Sequence, residues 1–311
     1  MIAKLVVSFW FRAVLSATIV IYLVSQFDQQ ETIRTLLAVD ISYFLGALAV
    51  DVVTRVTMIV RWTVLLQSSA TPVSVWTAAR IFLITSFVGT ALPAGGADVT
   101  RAYALSRYTD DGREAIASVA VDRLLGVSAL LFLGVLGLIL WTGNTTPPLA
   151  RLVVGLSVLT AIALLGAFWA SEVLRGVVPL ALRRTSLGRW LIEVADSVAR
   201  YRGRGGILLT VFGLSVMAQW LRILEVFLLG RSLSISVDLS YYLVFMPVGL
   251  LAFMLPVSVA GIGLPQGVIV WLLRPAGVPD VQAFALSTLV VVVGLIGTLP
   301  GVWLYLRSRG N

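Results

Sequence analysis

Residues 80–107 read R-I-F-L-I-T-S-F-V-G-T-A-L-P-A-G-G-A-D-V-T-R-A-Y-A-L-S-R. The stretch is apolar enough to enter a bilayer, but Pro93, Gly95, Gly96 and Asp98 interrupt its centre. Proline and glycine disfavour a continuous helix, and a carboxylate at membrane depth needs a polar partner. The sequence therefore predicts a broken helix that lies against protein and does not face lipid.

A second stretch repeats this pattern in altered form. Residues 253–267 read F-M-L-P-V-S-V-A-G-I-G-L-P-Q-G, again an apolar run followed by Leu-Pro and closely spaced glycines. The apolar regions around the two stretches cover about residues 81–106 and 241–273, whereas two full helical crossings need about 40 residues. We therefore predict two re-entrant helix-loop-helix hairpins.

The composition places the chain in a membrane. Of 311 residues, 59% are hydrophobic and 12% are charged, whereas a soluble domain carries about 25% charged residues. We predict an all-α polytopic membrane protein. The chain contains no Cys and no His, which excludes thiol catalysis and Cys/His metal sites, and we expect no cofactor. The net charge of +8 indicates contact with anionic membrane lipids and not with nucleic acid.

Arginine positions give an expected topology. Residues 171–205 hold seven arginines, and Arg307 and Arg309 follow the last apolar run. Because such charges stay inside, we expect a multi-pass protein of the cell (cytoplasmic) membrane with both termini cytoplasmic. Its predicted parts are an N-terminal membrane half (1–170), a basic cytoplasmic linker (171–205) and a C-terminal half (206–311). The hairpins would then enter from opposite faces, as in an inverted repeat.

Several charges fall inside or beside the predicted spans. The first span covers residues 5–24 and the second about 41–60, in which Asp51 and Arg55 are placed to pair on one helical face. We expect Arg61 and Arg80 to flank the polar connection that follows. Tryptophans are expected as interfacial anchors, Trp62 among them.

The first hairpin contains a candidate anion site. A helix that begins behind Gly95 and Gly96 would direct free N–H groups and a positive dipole at a phosphate. Arg101, one turn later, would add a bidentate contact. Asp98 either belongs to this site or caps its own helix and orients Arg101. Further along, Arg222 and Glu225 form either a second polar layer or a pair that holds helices together.

Three motifs follow one another along the chain: L-P-A-G-G-A-D-V-T-R-A-Y at residues 92–103, A-S-V-A-V-D-R-L-L-G at 117–126 and L-P-V-S-V-A-G-I-G at 255–263. Together they resemble the flippase-like integral membrane family related to the lysylphosphatidylglycerol synthase transmembrane region. The resemblance covers nearly the whole chain. It implies a membrane protein that moves a lipid with a charged or glycosylated headgroup between leaflets.

The resemblance also implies site residues. By position these are Gly95, Gly96, Asp98 and Arg101 in the first motif, Asp122 and Arg123 in the second, and Gly261 and Gly263 in the third. Where the family commonly places Arg-Glu after the last glycine, this chain has Leu264, Pro265 and Gln266. A neutral Gln266 supplies no carboxylate, and Glu225 is the nearest replacement in chain order.

The sequence favours a transporter of an anionic lipid, either a polyprenyl-phosphate-linked sugar or a phospholipid. Two alternatives stay open: a non-transporting scaffold for envelope glycolipid synthesis and an intramembrane enzyme acting on a lipid headgroup. Glycosyltransferases or lipid-modifying enzymes are the candidate protein partners. No G-x-x-x-x-G-K-[ST] motif is present in the chain, which argues against direct coupling to ATP.

Overall fold

The computed structural model describes residues 29–67, 73–92, 95–109, 112–141, 147–177, 185–254 and 264–309. Within these ranges every regular element is a helix, and the predicted all-α class is confirmed. Three predicted features lie outside the described residues: the first span (5–24), Gly261 and Gly263.

The helices are numbered here in chain order. The helices before residue 200 are α1 (Gln29–Leu37), α2 (Ile41–Gln67), α3 (Val75–Thr90), α4 (Gly96–Ser106), α5 (Gly112–Leu140), α6 (Pro147–Val177) and α7 (Ser186–Ala199). After a 3₁₀ turn at Arg200–Gly203 follow α8 (Gly205–Ser232), α9 (Leu239–Met254), α10 (Leu264–Leu273), α11 (Asp280–Ile296) and α12 (Leu299–Arg309), with a second 3₁₀ turn at Arg274–Ala276.

Long apolar helices confirm the multi-pass class. By length and composition, five segments of the described chain can cross a membrane. They are Ile41–Gln67, Gly112–Leu140, Pro148–Ala170, Gly205–Ser232 and Asp280–Arg307. The last of these joins α11 and α12 through the turn at Gly297 and Thr298.

Both broken stretches form pairs of short helices. The first consists of α3 with 16 residues and α4 with 11, and the second of α9 with 16 and α10 with 10. A helix of 16 residues is about 24 Å long, less than the roughly 30 Å of a bilayer core. The members of each pair pack against each other. The re-entrant path and the inverted repeat remain predictions.

Local sequence explains where the first helices begin. The Asp40 carboxylate accepts a hydrogen bond from the Ser42 N–H at 2.8 Å, and Ser74 accepts one from the Thr77 N–H at 3.1 Å; both are favoured helix-capping residues. Gly95 has a φ of 85°, in the left-handed region that glycine adopts without steric cost. Helix α4 begins directly after it, at the place that the sequence predicts.

Helices α2, α5 and α8 form the centre of the molecule. Helix α2 packs along α8, and α5 contacts α8 on one side and α4 and α9 on the others. Helices α6 and α7 pack on α5, while α12 packs on α3. Charged residues from three central spans therefore meet in the interior.

Two helices extend beyond their predicted ends. Helix α2 continues to Gln67, because the apolar run 62–66 prolongs the helix. The prediction that Arg61 flanks a polar connection is therefore wrong: this residue lies within α2 and is buried. Helix α6 reaches Val177, inside the predicted linker. The same predicted linker also contains α7.

Candidate functional site

A buried ion pair connects α2 to α5. The Nη2 atom of Arg61 donates to Oδ2 of Asp122 at 2.7 Å, and both side chains are almost fully buried. The same carboxylate oxygen lies 3.6 Å from Nη1 of Arg101 on α4. Asp122 is ten residues into α5, about 15 Å along the helix axis. One carboxylate thus holds two guanidinium groups inside the protein.

Aromatic rings complete the surroundings of Arg101. Its Cζ atom lies 4.5 Å from the ring centroid of Phe82 and 5.4 Å from that of Trp62, distances that allow cation–π attraction. Trp62 is fully buried, so its predicted role as an interfacial anchor is wrong. Apolar neighbours on α2, α3, α4 and α5 surround this position. Arg101 is therefore fixed within the core.

Asp98 and Arg123 extend the charges towards the surface. The Asp98 carboxylate lies 3.3 Å from Nε of Arg123 and 3.8 Å from Nη2 of Arg101. The N-cap residue of α4 is Gly95, and no side chain caps the helix. Asp98 therefore does not cap α4, whereas the contact with Arg101 that the same alternative expects is present. We call the connected group of Arg61, Arg101, Arg123, Asp98 and Asp122 the ion-pair network.

The ion-pair network carries more positive than negative charge. Three guanidinium groups share two carboxylates, which leaves one net positive charge. Among the described residues, Oδ1 of Asp122 and the Nε atoms of Arg61 and Arg101 have no hydrogen-bond partner. Arg123 is the exposed member, with 45% of its side chain accessible. Arg123 is therefore the cation of the network that a ligand can reach.

A cavity of about 1050 Å³ opens between α4 and α5, and we call it the outer cavity. Its polar groups include Asp98, Arg113 and Arg123. Most of the remaining lining is apolar: Val99, Ala102, Ile116, Val119 and Ala120, with Tyr103, Ser106 and Gly112 beside them. A mostly apolar wall with a few placed charges suits an amphiphile.

A second cavity of about 330 Å³ lies among α2, α3, α5, α8, α9 and α11, and we call it the inner cavity. Its charged lining comes from Asp51, Arg55, Arg123, Arg222 and Glu225, with Gln219 beside them. Arg123 lines both cavities. A single guanidinium therefore lies between the apolar outer cavity and the inner cavity with its several charged side chains.

Asp51 and Arg55 form the predicted pair. The Nε atom of Arg55 donates to Oδ2 of Asp51 at 2.7 Å, and its Nη2 donates to the Gly294 carbonyl at 2.8 Å. A methyl group on Gly297 would overlap both side chains. The pair thus fixes α2 against the end of α11, at the wall of the inner cavity.

Arg222 and Glu225 lie in the inner cavity without pairing. In the described part of the chain, no ion pair joins the two side chains, and the only hydrogen-bond acceptor of Arg222 is the Met58 sulfur at 3.9 Å. Glu225 is 5% exposed, and none of the described residues forms a hydrogen bond or ion pair with its carboxylate. The alternative of a simple structural pair is not realised.

The remaining predicted site residues lie elsewhere. Gly95 and Gly96 shape the start of α4 and do not belong to the lining of either cavity. Gln266 is buried in α10, also outside both linings. A glutamine at position 266 therefore does not alter the lining of the inner cavity. Glu225 contributes a carboxylate to that cavity.

Sequence reasoning missed Arg61 and Trp62 as members of the site. The signal that identifies them is the apolar run 62–66 directly after Arg61. A helix that ended at Arg61 would expose that run to water, so the charge belongs inside the span. Asp122 then becomes its natural partner, since buried charges require opposite charges.

The sequence of the chain matches a known family. A family model described as the lysylphosphatidylglycerol synthase TM region matches residues 1–301. The chain belongs to this family. No curated protein matched the chain at the level of sequence. Membership of the lysylphosphatidylglycerol synthase TM region family associates the protein with lipid and envelope biology, and the resemblance expected from the three motifs is confirmed.

Proposed function

We propose that the protein is a transporter that moves an anionic lipid between membrane leaflets, and not an enzyme. The observation that carries this proposal is the position of Arg123. It is half-exposed, it lines the outer and the inner cavity, and it belongs to a network with net positive charge. A lipid phosphate that entered the outer cavity could bind this guanidinium, which also lines the inner cavity.

The two cavities fit the two parts of an amphiphile. The apolar wall of the outer cavity suits acyl or polyprenyl chains, and the inner cavity offers charged and amide side chains to a headgroup. A charge at the bilayer centre is opposed by several kcal/mol or more. Arginine reduces this cost because its guanidinium binds phosphate through two parallel hydrogen bonds.

The cargo class is a polyprenyl-phosphate-linked sugar or a phospholipid. We further propose that the broken helix pairs α3–α4 and α9–α10 are re-entrant, enter from opposite faces and change access to the cavities as the halves move. Under this proposal the basic linker and both termini are cytoplasmic, and the membrane is the cell membrane. Enzymes that synthesise or use the lipid, glycosyltransferases among them, are the proposed partners.

Reconstitution tests the proposal. Wild type, Arg123→Gln and the control Arg202→Gln are placed in phosphatidylcholine vesicles with fluorescent phosphatidylglycerol or fluorescent polyprenyl phosphate, and dithionite reports the outer-leaflet fraction. Arg202 is an exposed arginine that pairs with Glu172 outside both cavities. We expect Arg123→Gln to slow transport about tenfold or more, the loss of one charge-assisted contact, and Arg202→Gln to match wild type.

Two results would refute the proposal. One is a folded wild-type protein that moves neither reporter. The other is equal transport by Arg123→Gln and wild type. Fluorescent phosphatidylcholine serves as the comparison lipid, since equal movement of this net-neutral lipid would show that the protein does not select an anionic headgroup.

A further inference from the structure

Glu225 is an unusual side chain in the inner cavity. It is a buried carboxylate on a membrane-spanning helix, it faces a cavity, and no described residue forms an ion pair or hydrogen bond with it. Arg222 and Arg55 attract it only from beyond ion-pair distance, while Asp51 repels it. An ionised carboxylate in such a place costs several kcal/mol of free energy unless a cation or hydrogen-bond donors compensate it. Its neighbour Asp51 is different, since the Arg55 guanidinium holds it at 2.7 Å. The two acidic groups of the inner cavity are thus not equivalent.

The charge of the inner cavity follows from the side chains that each surrounding helix contributes to its lining. Helix α2 contributes the Asp51–Arg55 pair, α5 contributes Arg123, and α8 contributes Gln219, Arg222 and Glu225. Helix α3 contributes the Thr90 hydroxyl, and the residues from α9 and α11 carry no ionisable group. With Glu225 ionised, the lining has one net positive charge; with Glu225 neutral, it has two.

We propose that Glu225 is a proton-binding site that couples proton movement to movement of the anionic headgroup. The proton adds to the carboxylate to give a carboxylic acid, and it later leaves to water on the other side. Protonation removes the negative charge that opposes a phosphate between Arg123 and Arg222, so proton and headgroup bind together. By linkage, a bound headgroup strengthens proton binding by the same factor. This inference rests on the proposed function.

Infrared spectroscopy tests the proton site without any transport. Wild type in phospholipid nanodiscs is titrated between about pH 5 and pH 9, a range above the ordinary titration of exposed carboxylates. We expect a carboxylic-acid C=O band that appears as the pH falls. It should be absent in Glu225→Gln and present in the control Glu172→Gln, which changes an exposed glutamate of α6. If Glu225→Gln does not fold, Glu225→Asp should shift the pH at which the band appears. Spectra unchanged by either substitution would overturn the proton site.

Transport under a pH gradient tests the coupling. With fluorescent phosphatidylglycerol in phosphatidylcholine vesicles, one proton per lipid shifts the distribution between leaflets by about tenfold for each pH unit. Wild type and Glu172→Gln should respond to the gradient, and Glu225→Gln should not respond whatever its basal rate. Transport by wild type without a gradient response would overturn the coupling and leave the proposed function standing. Absence of all transport would refute the proposed function, and the infrared result would still decide the proton site.

Discussion

Arg61 and Asp122 are separated by 61 positions in the chain, yet their side chains form a buried ion pair at 2.7 Å between two membrane-spanning helices. The same carboxylate also faces Arg101. Asp122 is therefore the residue on which the charge balance of the network depends.

The first prediction concerns Asp122→Asn. The substitution preserves shape but leaves two buried guanidinium groups with less counter-charge, so we expect a loss of about 3–5 kcal/mol in the free energy of unfolding. Denaturation in mixed micelles measures this loss. The matched control is Asp238→Asn, an exposed position in the connection between α8 and α9, which should remain within about 0.5 kcal/mol of wild type. Equal stability of the two variants would contradict the role given to Asp122.

The second prediction separates Arg101 from Arg123. Arg101 is buried against Phe82 and Trp62, so Arg101→Ala should lower the free energy of unfolding by about 2 kcal/mol as the cation–π and ionic contacts disappear. Transport should fall with it, because Asp98 contacts both Arg101 and the cavity residue Arg123. Arg123→Gln should slow transport with little change in stability. A stable Arg101→Ala protein that lacks transport would instead place the phosphate directly on Arg101.

The third prediction concerns the contact between α12 and α3. A methyl group on Gly301 would overlap the Leu83 carbonyl, so Gly301→Ala should cost about 1–3 kcal/mol of unfolding free energy through overpacking. Gly213 in α8 is the control, since nothing lies near the corresponding methyl position. Gly213→Ala should gain up to about 1 kcal/mol from helix propensity. The expected changes thus have opposite signs, and a shared sign in thermal unfolding would reject the close contact.

The fourth prediction concerns topology. The chain has no cysteine, so each introduced thiol can be labelled alone. The ends of the first hairpin are represented by Trp76→Cys and Tyr108→Cys, and those of the second by Ser236→Cys and Pro275→Cys, all at exposed positions. Re-entrant hairpins from opposite faces require the first two to react with an impermeant maleimide from one side of the membrane and the last two from the other. A different accessibility within either pair would mean that its segment crosses the membrane.

The sequence predicted the class of fold and the position of the first helix break. The composition predicted a membrane environment. Gly95 adopts the left-handed conformation directly before α4, and few residue types other than glycine adopt that conformation without strain. The Asp51–Arg55 pair was also predicted, because a spacing of four residues aligns side chains on a helix. Such local rules depend on neighbours in the chain.

The assignment of individual charges to the site was less predictable. Arg61 was placed outside the membrane because a charge at the end of an apolar run normally marks a helix end. The packing of α4 against Phe82 and Trp62 decides which of Arg101 and Arg123 is exposed. These contacts join segments that are distant in the chain, so the sequence pattern does not reveal them. The separation of Arg222 from Glu225 likewise depends on the cavity among six helices and not on their spacing in α8.

Under the proposed function, the shared position of Arg123 limits how this protein can change its cargo. A substitution that adapted the outer cavity to an uncharged headgroup would alter the inner cavity at the same time, because one side chain contributes to both. Intermediates along such a path would lose selectivity at two places together. Laboratory evolution towards a different lipid should therefore vary Arg123 jointly with Asp98 and Arg222. Libraries that change one cavity alone would leave the other cavity suited to the original headgroup.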